Sequence, residues 1–191
     1  MDTLTYQPNA GVQSAFPPAT HGLKGWSFDT MHISSTTSAM TAGVGRVVRL
    51  RMHVDAPITS LFYYQGTAGV TLTNCYMGVY STAGVKLGET DDLSTAWQAA
   101  AGTRNTSLIT PTSTLLAGTE FYVFWLCGSA GTLPAFCVGP GPTSNLVNFS
   151  LNIPNGTNRA ATYGSGQTAL PASLTLGTLV GTTSVLFCGV A

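Results

Sequence analysis

The most densely apolar stretch of the chain, residues 120–127, reads EFYVFWLC. Side chains alternate across a strand, so Phe121, Val123, Trp125 and Cys127 share one face while Tyr122, Phe124 and Leu126 share the other. A strand apolar on both faces belongs at the centre of a sheet, packed on a core one way and covered the other way. The Leu-Ala-Gly-Thr before it, residues 116–119, has the composition of a turn. Residues 46–54 carry a different pattern, with Val48, Leu50, Met52 and Val54 facing in and Arg49, Arg51 and His53 facing out. The core expected from these two strands contains Leu50, Met52, Phe121, Val123 and Trp125.

Further short strands are expected around them at residues 24–31, 58–65, 75–80, 85–89, 103–111, 134–138, 145–153 and 184–190. Asp55-Ala56-Pro57 and Gly139-Pro140-Gly141-Pro142 break the pattern, because proline cannot continue a central ladder. Ser81 to Gly84 reads as a hairpin turn with Gly84 at positive φ. Residues 93–101 predict one or two helical turns capped by Asp91 or Asp92. Residues 34–45, 66–74 and 155–173 are rich in Gly, Ser and Thr and are expected as loops.

Residues 1–22 show neither period. Pro8, Gly11, Pro17 and Pro18 favour an extended arm, with Tyr6, Val12 and Phe16 as apolar anchors onto its own domain or a neighbouring subunit. The expected fold is all-β: an antiparallel β-sandwich, jelly-roll-like, over residues 23–191, preceded by this arm.

Composition narrows the function. Charged residues make up 7% of the 191, against about 25% in ordinary globular chains. The formal net charge is zero. A neutral surface built from Thr, Ser, Asn, Gln and Gly suits a subunit held in an assembly and argues against a nucleic-acid partner, which needs a basic excess. No apolar run approaches the ~18 residues needed to span a bilayer, so no membrane insertion is expected. No charged segment followed by an apolar one succeeds Met1, so the chain is expected to be made and kept in a cytosol. Cys75, Cys127, Cys137 and Cys188 lie in or beside apolar runs without metal-ligand spacing, and are expected to be buried, reduced thiols.

No pattern of catalytic residues emerges. Glu89, Asp91 and Asp92 lack the spacing of a calcium loop, and capping with solvation accounts for them. His21, His32 and His53 have no zinc-site spacing. Neither a Gly-x-Ser-x-Gly elbow nor a phosphate loop is present. A glycosidase would need two opposed acids, and nothing marks such a pair. The stripe Arg49, Arg51 and His53 is expected to pair with an acid across the sheet, such as Glu120 or Asp29. Phe62, Tyr63, Tyr64 and Trp97 are divided between core packing and stacking on sugar rings. Sequons at Asn105, Asn148 and Asn155 are chance matches in a chain rich in Asn and Thr. The expectation is no enzyme and no cofactor.

The stretch CYMGVYSTAGVKLGETDDLSTAW, residues 75–97, resembles a β-sandwich domain common in actinobacteriophage virion proteins. The Leu-x-Ala-Gly-Thr-x-Phe-Tyr-Val from Leu115 to Val123 is similar to the same family, as is the run from Gly164 to Ser173. The resemblance spans roughly residues 22–191. It implies a structural role on the virion surface, in a minor tail, tail-tip or fibre subunit or in a capsid decoration or head-fibre subunit. It also implies other virion proteins as partners, self-association with a trimer among the forms, and assembly in the host cytoplasm. The alternative is a carbohydrate- or receptor-binding module for host attachment, reading a surface glycan through an exposed aromatic platform.

Overall fold

The computed structural model describes residues 17–139, 159–182 and 184–191. The strands in chain order are β1 (Gly25–Trp26), β2 (Thr37–Ala39), β3 (Gly45–Met52), β4 (Ser60–Thr67), β5 (Thr73–Ser81) and β6 (Lys86–Glu89). A one-turn helix α1 (Ser94–Gln98) follows. Then come β7 (Gly102–Ser107), β8 (Glu120–Ser129), β9 (Ala135–Cys137), β10 (Ala160–Tyr163), β11 (Val180–Gly181) and β12 (Gly189–Val190).

β8 is the hub. It is antiparallel to β3 on one side and β5 on the other, with Val123 opposite both Val48 and Val79. The described strands form one sheet in the order β2-β9-β4-β12-β1-β3-β8-β5-β6, with β7 added to β4 and β10 to β3. All of its ladders are antiparallel. The fold is therefore all-β. Two-residue strands β1 and β12 join the half carrying β4 to the half carrying β8. The far ends also meet: Thr90 bridges Leu108, and Ile109 N–H donates to the Glu89 carbonyl at 2.8 Å.

The curl creates the core. Leu50, Met52, Phe121, Val123 and Trp125 lie in one buried cluster with Cys75, Met77 and Val79 of β5. Leu61 and Tyr63 of β4, Phe136 of β9 and Trp97 of α1 enter the same cluster from the opposite half. Burial of each such side chain contributes about 1.5–3 kcal/mol. The other face of β8 is covered as well. Tyr122, Phe124 and Leu126 pack with Val47, Tyr80, Ala161, Leu174 and Leu179.

Several strands are shorter than the alternation suggests, because alternation does not mark where backbone partners run out. The inward row of β3 ends at Met52, whose N–H and carbonyl bond to Thr119 and Gly118, and Val54 is 42% exposed. The expected strand at 24–31 is paired only at Gly25–Trp26. Asp29 then accepts the Met31 N–H and starts a 3₁₀ turn over Thr30–His32. The expected strand at 184–190 pairs as β12 only at Gly189–Val190. Two loops contain strands, β2 within 34–45 and β10 within 155–173. Pro18–His21, at the end of the expected arm, forms a 3₁₀ turn with Pro18 buried. The anchors Tyr6, Val12 and Phe16 and the expected strand at 145–153 lie outside the described residues.

Candidate functional site: an arginine-lined cleft

Along the edge of β3 that faces away from β8, two strands share one position. β1 pairs with Arg51 and Met52, whereas β10 pairs with Gly45 to Val48. The chain therefore forks beside Arg49, whose N–H donates to the Arg159 carbonyl at 2.8 Å. Residues that face each other across antiparallel ladders project to the same side. That rule brings Arg49, Arg51, Arg159, Trp26 and Glu120 onto one face around the fork. Together with Phe28, Leu50 and His53 they line a cleft of about 270 Å³.

The electrostatics of this cleft are unusual for the chain. Three of its seven Lys and Arg side chains meet there with one carboxylate. Glu120 reaches diagonally to Arg49 at 3.6 Å, across partly exposed side chains, and such a pair contributes about 0–1 kcal/mol. Arg159 donates to the Ser27 carbonyl and so ties β10 to the end of β1 across the fork. Burial, and then the charge of Arg49, pull the Arg159 pKa below its ordinary value. Partial burial, followed by the charge of Arg51, lowers that of His53. The arrangement can accept an anion at the guanidiniums and offers a carboxylate and an imidazole to hydroxyl groups.

The expected partner of the basic stripe is thus partly realised, through Arg49 and Glu120. The Asp29 carboxylate accepts the Met31 N–H. Sequence reasoning did not place Arg159 in this group. A usable signal existed: Arg159 is the only Asp, Glu, Lys or Arg between residues 121 and 191. An isolated charge in such a tract needs a reason to be there.

The other candidates have structural roles. Asp92 accepts the N–H of Ser94 at 2.8 Å, the Ser94 hydroxyl at 2.5 Å and the N–H of Cys75 at 3.1 Å. It thereby ties the first residue of α1 to β5, while the N-cap position is Leu93, without a side-chain cap bond, and not the expected Asp91 or Asp92. Glu89 pairs with Lys86 at 2.7 Å beside a cavity of about 450 Å³ that Asp91 also lines. No group of three His, Cys, Asp or Glu is placed to hold a metal ion among the described residues. The His21 ring lies tilted at 45° against Trp26, with centroids 5.7 Å apart, and His32 is exposed in its 3₁₀ turn. Tyr63 and Trp97 are core residues, joined by a 2.9 Å hydrogen bond from the indole to the phenol. Phe62 packs partly buried against Trp26 and Phe187, which leaves Tyr64 as the exposed ring of the four. Asn105 is exposed on β7, while Asn148 and Asn155 lie outside the described residues.

No protein-family model matches the chain, and no curated protein matches it. The site must be read from its own chemistry.

Proposed function

We propose that this chain is a structural protein on the surface of a tailed bacteriophage particle, in the tail, tail tip or fibre or as a capsid decoration or head fibre. It acts by contacts with other virion proteins and with copies of itself, and performs no catalysis. The observation that carries this reading is a sheet margin almost without charge. β7 is hydrogen-bonded along one side only, to β4, among the described strands, and exposes Thr103, Asn105 and Ser107. Monomeric proteins usually blunt such an edge with charged side chains or proline. Arg104 is the one charged residue of β7, and its guanidinium donates to the Gln65 side chain and the Ala100 carbonyl, so the exposed row Thr103, Asn105 and Ser107 leaves an edge suited to strand addition by a neighbour. The resemblance of residues 75–97 and 115–123 to virion-surface domains supports the same placement.

The test is immunogold labelling of intact particles of the phage that encodes the chain, with deletion of residues 1–22 alongside. Label on the particle surface, and reduced incorporation of the deleted chain, is the expected result. Particles free of label would overturn the proposal. A truncated chain that assembles as well as the full one would remove the arm from the assembly argument. Of the rings expected to form an aromatic platform for an attachment module, Tyr63 and Trp97 are buried and Tyr64 is exposed.

A further inference from the structure

We infer that the cleft at the β1/β10 fork binds an acidic saccharide, with the anionic group held by Arg49, Arg51 and Arg159. Placing like charges side by side across a ladder is unfavourable, yet Arg159 stands next to Arg49 at the fork. The cleft lining holds three guanidiniums and one carboxylate, Glu120, which pairs with Arg49, and guanidinium forks match the geometry of carboxylate, sulfate and phosphate groups. Arg49 and Arg51 lie two residues apart on the paired strand β3, and Arg159 is tied across the fork by its bond to the Ser27 carbonyl.

The rest of the lining distinguishes a sugar acid from a bare ion. Glu120 and His53 accept hydrogen bonds, a feature a simple anion site would avoid and a polyhydroxylated ring would use. Trp26 and Phe28 supply an apolar wall for the C–H face of such a ring. A cleft of about 270 Å³ holds roughly nine waters at ~30 Å³ each, which is room for one sugar ring bearing its anionic substituent. The inference stands apart from the virion assignment and is tested on the purified full chain.

Titration calorimetry with glucuronate, glucose and inorganic phosphate separates the possibilities. Glucuronate is expected to bind, more weakly as salt rises, with no heat from glucose and weaker binding of phosphate. Arg51→Gln, at an exposed position, should weaken glucuronate by about tenfold or more, the loss that goes with one charge-assisted contact. In the unaltered protein, amide shifts on adding glucuronate should centre on Trp26, Arg49 and Arg51, which tests the site without relying on a variant. Phosphate binding as tightly as glucuronate would overturn the saccharide assignment. Absence of binding by either anion, or shifts centred elsewhere, would overturn the site itself.

Discussion

The sulfurs of Cys75 and Cys127 lie 3.5 Å apart across β5 and β8, in the middle of the core. Their backbones explain the approach. Cys75 spends its N–H on Asp92 and its carbonyl on Leu93, and the Cys127 carbonyl accepts from Gly43. Both residues therefore point their backbone bonds away from each other. They form a non-hydrogen-bonded pair, the closer of the two cross-strand spacings. All four cysteines are free thiols and buried. The hydrogen bond to Cys127, reinforced by burial, pushes the Cys75 thiol up, and burial alone raises Cys137 and Cys188. A thiol reagent such as DTNB should therefore react with none of the four in the native protein and with all four in denaturant. Reductant should leave the melting temperature unchanged. Rapid native labelling would show that the β5–β8 core opens on the timescale of the assay.

Trp125 and Trp97 are both fully buried but are satisfied differently. The Trp97 indole N–H donates to the Tyr63 hydroxyl, whose pKa is pushed up to about 12 by burial. The Trp125 indole N–H has no hydrogen-bond partner among the described residues. An unmet buried donor costs about 1–3 kcal/mol, and Trp125→Phe removes it along with some packing. That substitution should fall within about 1 kcal/mol of wild type, since relief of the unmet donor offsets lost volume. Trp97→Phe breaks a made bond and should cost about 1–3 kcal/mol more. Trp125→Ala, which empties the site, should cost about 3–5 kcal/mol. Urea melts of the three variants decide the order; equal losses for the two Phe variants would mean that Trp125 has a partner, such as an internal water.

Asp92 gives the chain a defined acid sensitivity. Partial burial opposes its ionisation, but the hydrogen bonds from Ser94 and Cys75 outweigh that, and its pKa lies below the ordinary value. Protonation therefore favours the unfolded chain. The contribution is complete above the unfolded carboxylate value of about 3.9 and fades as pH falls through the lower folded value. Asp92→Ala should cost about 1–2 kcal/mol at pH 7, the order expected for losing hydrogen bonds to a charged acceptor. The gap between wild type and variant should shrink in melts near pH 3. A gap that stays constant would mean that the carboxylate charge has no part in holding α1 to β5.

Legibility in the sequence tracked how local each cause was. β8 and β3 could be read because their burial is written in consecutive residues, both faces apolar in one and alternating in the other. A role for Asp92 beside α1 could be read because its contact with Ser94 spans two residues, although the N-cap position itself is Leu93. Val54 could not, since its exposure depends on where Thr119 and Gly118 stop supplying partners. β10 was hidden because Ala160 to Tyr163 is short and weakly apolar, and exists as a strand only where β3 offers an edge. The candidate site divides the same way. Arg49 and Arg51 stand out on one strand, whereas Arg159, Trp26 and Phe28 join them through a fork that no local pattern encodes.

The turn between β5 and β6 offers the sharpest test of how the outer core is covered. Gly84 has φ +83°, a left-handed conformation that side chains disfavour. A Cβ there would also lie 2.2 Å from the Leu174 carbonyl oxygen, which belongs to backbone and cannot swing aside. Leu174 N–H donates to the Gly84 carbonyl at 2.8 Å, and Val85 bridges Ser173. The turn therefore pins the segment that carries Leu174 and Leu179 over Tyr122 and Phe124. Gly166 has a similar φ of +66° but nothing within 4 Å of its Cβ position. Gly166→Ala should show backbone strain alone, about 1–2 kcal/mol. Gly84→Ala carries that strain and must also displace residues 173–174. It should cost at least about 1 kcal/mol more, and hydrogen exchange at Leu174 and Leu179 should accelerate. If the two variants lose the same stability and exchange is unchanged, the Gly84–Leu174 contact does not hold the cover in place, and the outer core must be closed by its apolar packing alone.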